Sequence, residues 1–202
     1  MNAAARAGLI VLLALPIVRV NDGRDEVPES AIATLWAQDD VASSIDFRTG
    51  GPGGRLEDGE VHLDRAQLAF GSFVADRMTI GFVRDERAAL LDLGELYVEP
   101  QLRARDEAEE FPISVFHTLD FDGARFSYVA PGGDERSLER ADRLLGTLPA
   151  GIHHFQPVVG HTYLLRTRHD DAGSTDELFK FQVIDLQPGR SLTIRWAQLP
   201  SD

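Results

Sequence analysis

Six histidines, His62, His117, His153, His154, His161 and His169, are the side chains of this sequence best suited to ligation or proton transfer. His153, His154 and His161 share one short stretch. Neutral imidazole there could ligate a metal ion or a haem iron. Neighbouring residues on a strand leave opposite faces of the pleat, so His153 and His154 cannot both reach one ion on regular backbone. One of them meeting His161 across strands is the arrangement that chemistry would require. Ordinary surface and edge histidines are the other account of the same residues. His117, placed opposite Tyr128 in a hairpin, reads as a core histidine with a satisfied hydrogen bond.

Other chemistry finds little support in the spacing. Asp170–Glu177 resembles a calcium loop in composition, but Ala172 takes a ligand position and Gly173 comes too early for the turn, leaving a solvated loop. Gly50-Gly51-Pro52-Gly53-Gly54 is followed by the acidic run Arg55–Glu60, with neither a dinucleotide fingerprint nor a P-loop lysine. It reads as a mobile hairpin tip. There is no G-x-S-x-G, no H-E-x-x-H and no cysteine, which removes thiol nucleophiles, zinc-thiolate sites and disulfides. No catalytic constellation emerges, and the sequence does not read as an enzyme.

The elements that would position these residues are strands. His161–Arg168, Leu178–Leu186 and Ser191–Leu199 alternate apolar and polar residues, the pattern of half-buried strands. Phe179, Phe181, Val183, Leu192, Ile194 and Trp196 would face a core, and Lys180, Gln182, Thr193 and Arg195 would face water. Gln187-Pro188-Gly189-Arg190 suits a type II turn, and the three runs form an antiparallel meander. Ser44–Arg48, Val61–Asp64, Ala66–Val74 and Met78–Val83 add strands, with Ala75–Arg77 as a turn. Ala88–Leu93 fits a strand or a helical turn equally. Asp122-Gly123 as a two-residue loop pairs Phe121 with Ala124, Leu119 with Phe126, His117 with Tyr128, and Val115 with Ala130. Glu99–Phe111 reads as a charged loop. Glu135–Leu145 has the helical stripe Leu138, Ala141, Leu145, with Asp134 as its cap and Gly146 as its stop. The fold class is therefore mainly β: an antiparallel β-sandwich with one short helix, at about 135–145.

The N-terminus, residues 1–20, joins Arg6 to the apolar run Ala7–Val18, like a secretory signal or an uncleaved hydrophobic segment. That run is too short to span a bilayer as a helix. Residues 21–43 read as a polar linker, and 44–202 as a single β-rich domain. With 20 basic against 33 acidic residues, the net charge of −13 argues against nucleic acid and anionic lipid as partners.

Gly160-His161-Thr162-Tyr163-Leu164-Leu165-Arg166-Thr167 followed by Phe179-Lys180-Phe181-Gln182-Val183 resembles the closing hairpin of secreted bacterial β-domains, among them the HmuY-like haem-binding lipoproteins. The resemblance covers about a fifth of the chain. It implies export, β-architecture and haem as a ligand. The family's lipid-bearing cysteine is absent, and its haem histidines match no motif here. The reading is thus an exported, periplasmic or extracellular binding or structural module that acts through a protein partner. Haem or metal binding through His153, His154 or His161 is one alternative. The other is an accessory subunit held at a membrane complex by its uncleaved N-terminus.

Overall fold

A computed structural model of the chain describes residues 30–84, 86–94, 119–121, 125–129, 135–137, 145, 148–169 and 176–199. The terminal meander is the centre of the larger sheet. Strands β13 (Thr162–His169), β14 (Glu177–Gln187) and β15 (Ser191–Leu199) are antiparallel neighbours, flanked by β1 (Ala31–Trp36) and β8 (Glu86–Gly94) in the order β1-β15-β14-β13-β8. The Gln187–Arg190 turn closes as expected: Arg190 N–H donates to the Gln187 carbonyl at 2.9 Å, and Gly189 takes φ +67°. Ala31–Trp36, which the sequence pattern places in a linker, is an edge strand paired along its full length with β15. The ambiguous Ala88–Leu93 lies within β8.

A second sheet packs against the first. Its strands are β2 (Ser44–Asp46), β3 (Gly51–Pro52), β6 (Leu68–Phe70), β7 (Met78–Ile80) and β12 (His153–Phe155), in the order β12-β7-β6-β2-β3. The shared core joins Ile45, Phe47, Leu68, Phe70, Met78 and Ile80 to Tyr163, Leu165, Phe179, Phe181, Val183, Leu192, Ile194 and Trp196. This is the antiparallel sandwich that period-two alternation implies. Strand β6 ends at Phe70, short of Val74. The chain then loops through Phe73 and Val74, both part-exposed, before β7.

Three expectations need correction. The larger sheet is covered on both faces: Lys180 and Gln182, expected in water, are each only 2% exposed, and Arg195 is buried too. Across from the main core, Leu91, Leu164, Leu178 and Leu199 pack with Phe126 and Leu145 in a second apolar cluster. Phe126 belongs to a small sheet of β9 (Leu119–Phe121), β10 (Phe126–Val129) and β11 (Glu135–Ser137). Second, β9 and β10 pair Phe121 with Phe126 and Leu119 with Tyr128, two residues away from the expected register. An even slip keeps the parity of the ladder. Third, Glu135–Ser137 is strand where the first turn of a helix was expected, while Leu145 is helical and buried. Residues 138–144 and His117 lie outside the described residues.

The glycine-rich stretch also differs from a mobile tip. Gly51 and Pro52 pair with β2, and Gly53 N–H donates to the Ser44 carbonyl at 3.0 Å. Glycine is needed there for close approach, since a Cβ on Gly53 would lie 2.3 Å from the Ala66 Cβ and 2.9 Å from the Ile45 carbonyl carbon. The exposed hairpin β4 (Arg55–Glu57) and β5 (Glu60–His62) follows. Gly53→Ala is expected to cost about 1–3 kcal/mol by overpacking. Gly59→Ala, where a Cβ would meet nothing but φ is +84°, gives a strain-only comparison in the same urea titration.

Candidate functional site

The three histidines singled out by sequence lie at two places in the fold, two on β12 and one just before β13. His153 and His154 occupy β12 in the smaller sheet, opposite Ile80 and Thr79 of β7. His154 Nδ1 and the Thr79 hydroxyl are 3.0 Å apart, and this bond joins two positions on one face of the pleat. His161 immediately precedes β13 in the larger sheet, with Nδ1 at 3.0 Å from both carboxylate oxygens of Asp92. That ring therefore donates through Nδ1 to a carboxylate already receiving the Gly94 N–H at 2.7 Å. Among the described residues no group of three His, Cys, Asp or Glu side chains could hold a metal ion. A haem or metal site at His153, His154 and His161 gains no geometric support.

A different cluster closes one end of the core. Residues alternate along β8 so that Glu86 lies on the same face as Ala88 and Leu90, which pack into the core between the sheets. His169 is directly opposite Glu86, and Thr167 is opposite both Ala88 and Glu177. Arg48 reaches this row from the turn after β2. Its Nε donates to Glu177 Oε1 at 2.5 Å, and its second guanidinium nitrogen lies 3.4 Å from His169 Nε2. His169 Nε2 is 4.0 Å from Glu86 Oε1. Donation from Arg48 requires that Nε2 accept, so the ring proton belongs on Nδ1.

The electrostatics are unbalanced. The Glu86 side chain is only 1% exposed, and Glu86 Oε2, Glu177 Oε2 and Thr167 Oγ1 are buried without hydrogen-bond partners. Burial pushes the Glu86 carboxyl up from 4.5 to about 8; Arg48 pulls it down, and the Glu177 charge pushes it further up. The Arg48 guanidinium is held charged more firmly by its bond to Glu177. One guanidinium thus feels the carboxyls of Glu177, Asp46 and Glu86, and Glu86 is left neutral near pH 7. Buried polar groups without partners are uncommon and ask for an explanation.

None of Arg48, Glu86, Thr167, His169 and Glu177 stood out as a set, because four elements contribute them and no spacing connects them. The available signal was Glu86, a charge at an inward position of a strand, but it shows only once β8 is known to be one. Beyond these residues, Tyr163 holds the approach to β13: its hydroxyl accepts the Val158 N–H at 3.0 Å, and burial pushes it up to about 12.

The remaining candidate is the edge of the larger sheet. Trp36 N–H turns away from β15 to the Ala42 carbonyl at 2.9 Å, while Ala37 N–H donates across to Arg190 at 2.9 Å. By the alternation of an antiparallel ladder, the Ile32 and Thr34 N–H groups also point away from β15. The outward side chains of this strand are large: Ile32 is 48% and Trp36 44% exposed, with the Arg190 guanidinium 6.0 Å from the Trp36 ring centre. Among the described residues no strand pairs with this edge, and no helix is long and apolar enough to cross a membrane.

Comparison with known protein families, with curated proteins and with solved structures finds no match for this chain.

Proposed function

We propose that this protein is a non-catalytic, exported β-domain that works as a binding module, receiving a strand from a basic protein partner along β1. The observation that carries the reading is the edge strand Ala31–Trp36, whose Ile32 and Trp36 side chains are half exposed beside outward-facing backbone donors. Edge strands with unpaired N–H and C=O groups are templates for strand addition, and alternate side chains supply its specificity. A net charge of −13 favours a positively charged partner and speeds its encounter. Export rests on the signal-like N-terminus.

A peptide of alternating valine and arginine is a suitable probe, followed by Trp emission and by amide exchange at Ile32 and Thr34. Binding should protect both amides. Thr34→Pro removes an outward backbone donor and keeps the backbone ladder to β15, losing only the Thr34–Thr193 hydroxyl contact there, and is expected to weaken binding about tenfold or more. Unprotected amides, or equal binding by the proline variant, would refute strand addition at this edge.

A further inference from the structure

We propose that the end of the sandwich lined by Glu86, Thr167 and Glu177 is a binding site for a primary ammonium group. Three buried polar atoms there lack partners, Glu86 Oε2, Glu177 Oε2 and Thr167 Oγ1, and all three can accept a hydrogen bond. They belong to neighbouring positions on one face of β8, β13 and β14, since Thr167 pairs with Glu177 and, on its other side, with Ala88, two residues from Glu86. An ammonium carries three N–H donors and no acceptor, which matches that set in number and sense. A metal ion fits less well, because the third group is a hydroxyl and no three-carboxylate or histidine set is present among the described residues. An anion would meet acceptors only.

Charge leads to the same ligand. Among the described residues, the charged and titratable groups facing Glu86 are Arg48, Glu177 and His169. With Glu86 ionised, three carboxylates, those of Glu177, Asp46 and Glu86, act on Arg48, the one arginine among the described residues that faces Glu86. A bound ammonium offsets part of that negative excess. Glu86 holds its proton near pH 7 in the free protein, so binding ionises it and releases that proton to solvent. Arg48 and His169, with side chains 36% and 29% exposed, form the solvent side of the site. The ammonium could come from a free amine or from a lysine side chain on another protein, and the chemistry at Glu86 is the same for both.

Calorimetric titration of the full chain with n-butylammonium near pH 7, in two buffers of different ionisation enthalpy, tests this. Saturable binding with release of about one proton is expected. Glu86→Gln should abolish the proton release and weaken binding about tenfold or more, and Thr167→Val about threefold or more. Tetramethylammonium, with the same charge and no N–H donors, should bind far more weakly. A glycine-flanked lysine peptide that binds tighter than the free amine identifies a protein source, and the reverse order a small molecule; both support the site. No saturable heat, equal binding by Glu86→Gln, or equal binding of tetramethylammonium overturns it. These readouts are independent of the β1 edge, so each proposal stands or fails alone.

Discussion

Phe47→Ala is expected to destabilise the protein by about 3–5 kcal/mol, the range for deleting a buried aromatic ring. Phe47 leaves the smaller sheet just after β2 and inserts its ring into the inner face of the larger one. It stacks on Phe179 at 5.0 Å and Phe181 at 6.0 Å, and meets Trp196 edge-on at 5.2 Å. Its backbone is fixed as well, because Phe47 N–H donates to the buried Gln67 Oε1 at 2.7 Å. With the backbone held, the cavity cannot collapse easily, which puts the loss toward the upper end of the range. For a chain of this size the melting temperature should fall by roughly 10 °C or more. Leu56→Ala, on the exposed hairpin at 67% accessibility, should change stability by less than about 0.5 kcal/mol. Urea unfolding of the two variants checks both values. A Phe47→Ala loss below about 1 kcal/mol would mean that the two sheets do not share this core.

The parts of the fold legible in the sequence are those in which local pattern and tertiary environment agree. Phe179, Phe181 and Val183 face the core as their spacing says, and the Pro188-Gly189 turn sets the pairing of Gln187 with Ser191. The same strand holds a register shift between Val183 and Asp185. One extra residue reverses parity, which is how Leu186 rejoins the core side opposite Leu192. Strand β1 was hidden for a different reason: of its inward residues only Leu35 is large while Ala31 and Ala33 are small, and its outward residues Ile32 and Trp36 are large. Amphipathic reading looks for the opposite contrast. Lys180 and Gln182 show the limit of binary pattern, since polarity at alternate positions could not reveal the second apolar layer over Leu164 and Leu178. The Glu86 cluster was illegible because it exists only where β2, β8, β13 and β14 end together. Histidine proximity in sequence pointed instead to His153 and His154, which lie on β12 of the smaller sheet, and His161, which lies just before β13 of the larger one.

Glu86→Gln is expected to leave stability nearly unchanged at acid pH and to raise it, relative to the parent protein, as the solution becomes neutral and then alkaline. The sign follows from proton counts. Burial raises the folded-state carboxyl to about 8, against an ordinary value of 4.5, so the native state holds a proton that the unfolded chain has released. Stability from that difference is fully present below about pH 4.5 and is lost as pH rises through about 8. At 1.36 kcal/mol per pH unit the full span is roughly 5 kcal/mol, an upper value because Arg48 and Glu177 titrate with the same network. Glutamine keeps the shape of protonated Glu86 and has no proton to lose, so the variant escapes the penalty. Taking the difference between variant and parent cancels the changing repulsion among the other acids of a chain with net charge −13. Urea titrations of both proteins from about pH 5 to about pH 9 should show the variant gaining several kcal/mol across the range. A difference that stays flat would mean that Glu86 is ionised and hydrated throughout. The partnerless oxygen at the end of the sandwich would then have no standing as a binding group.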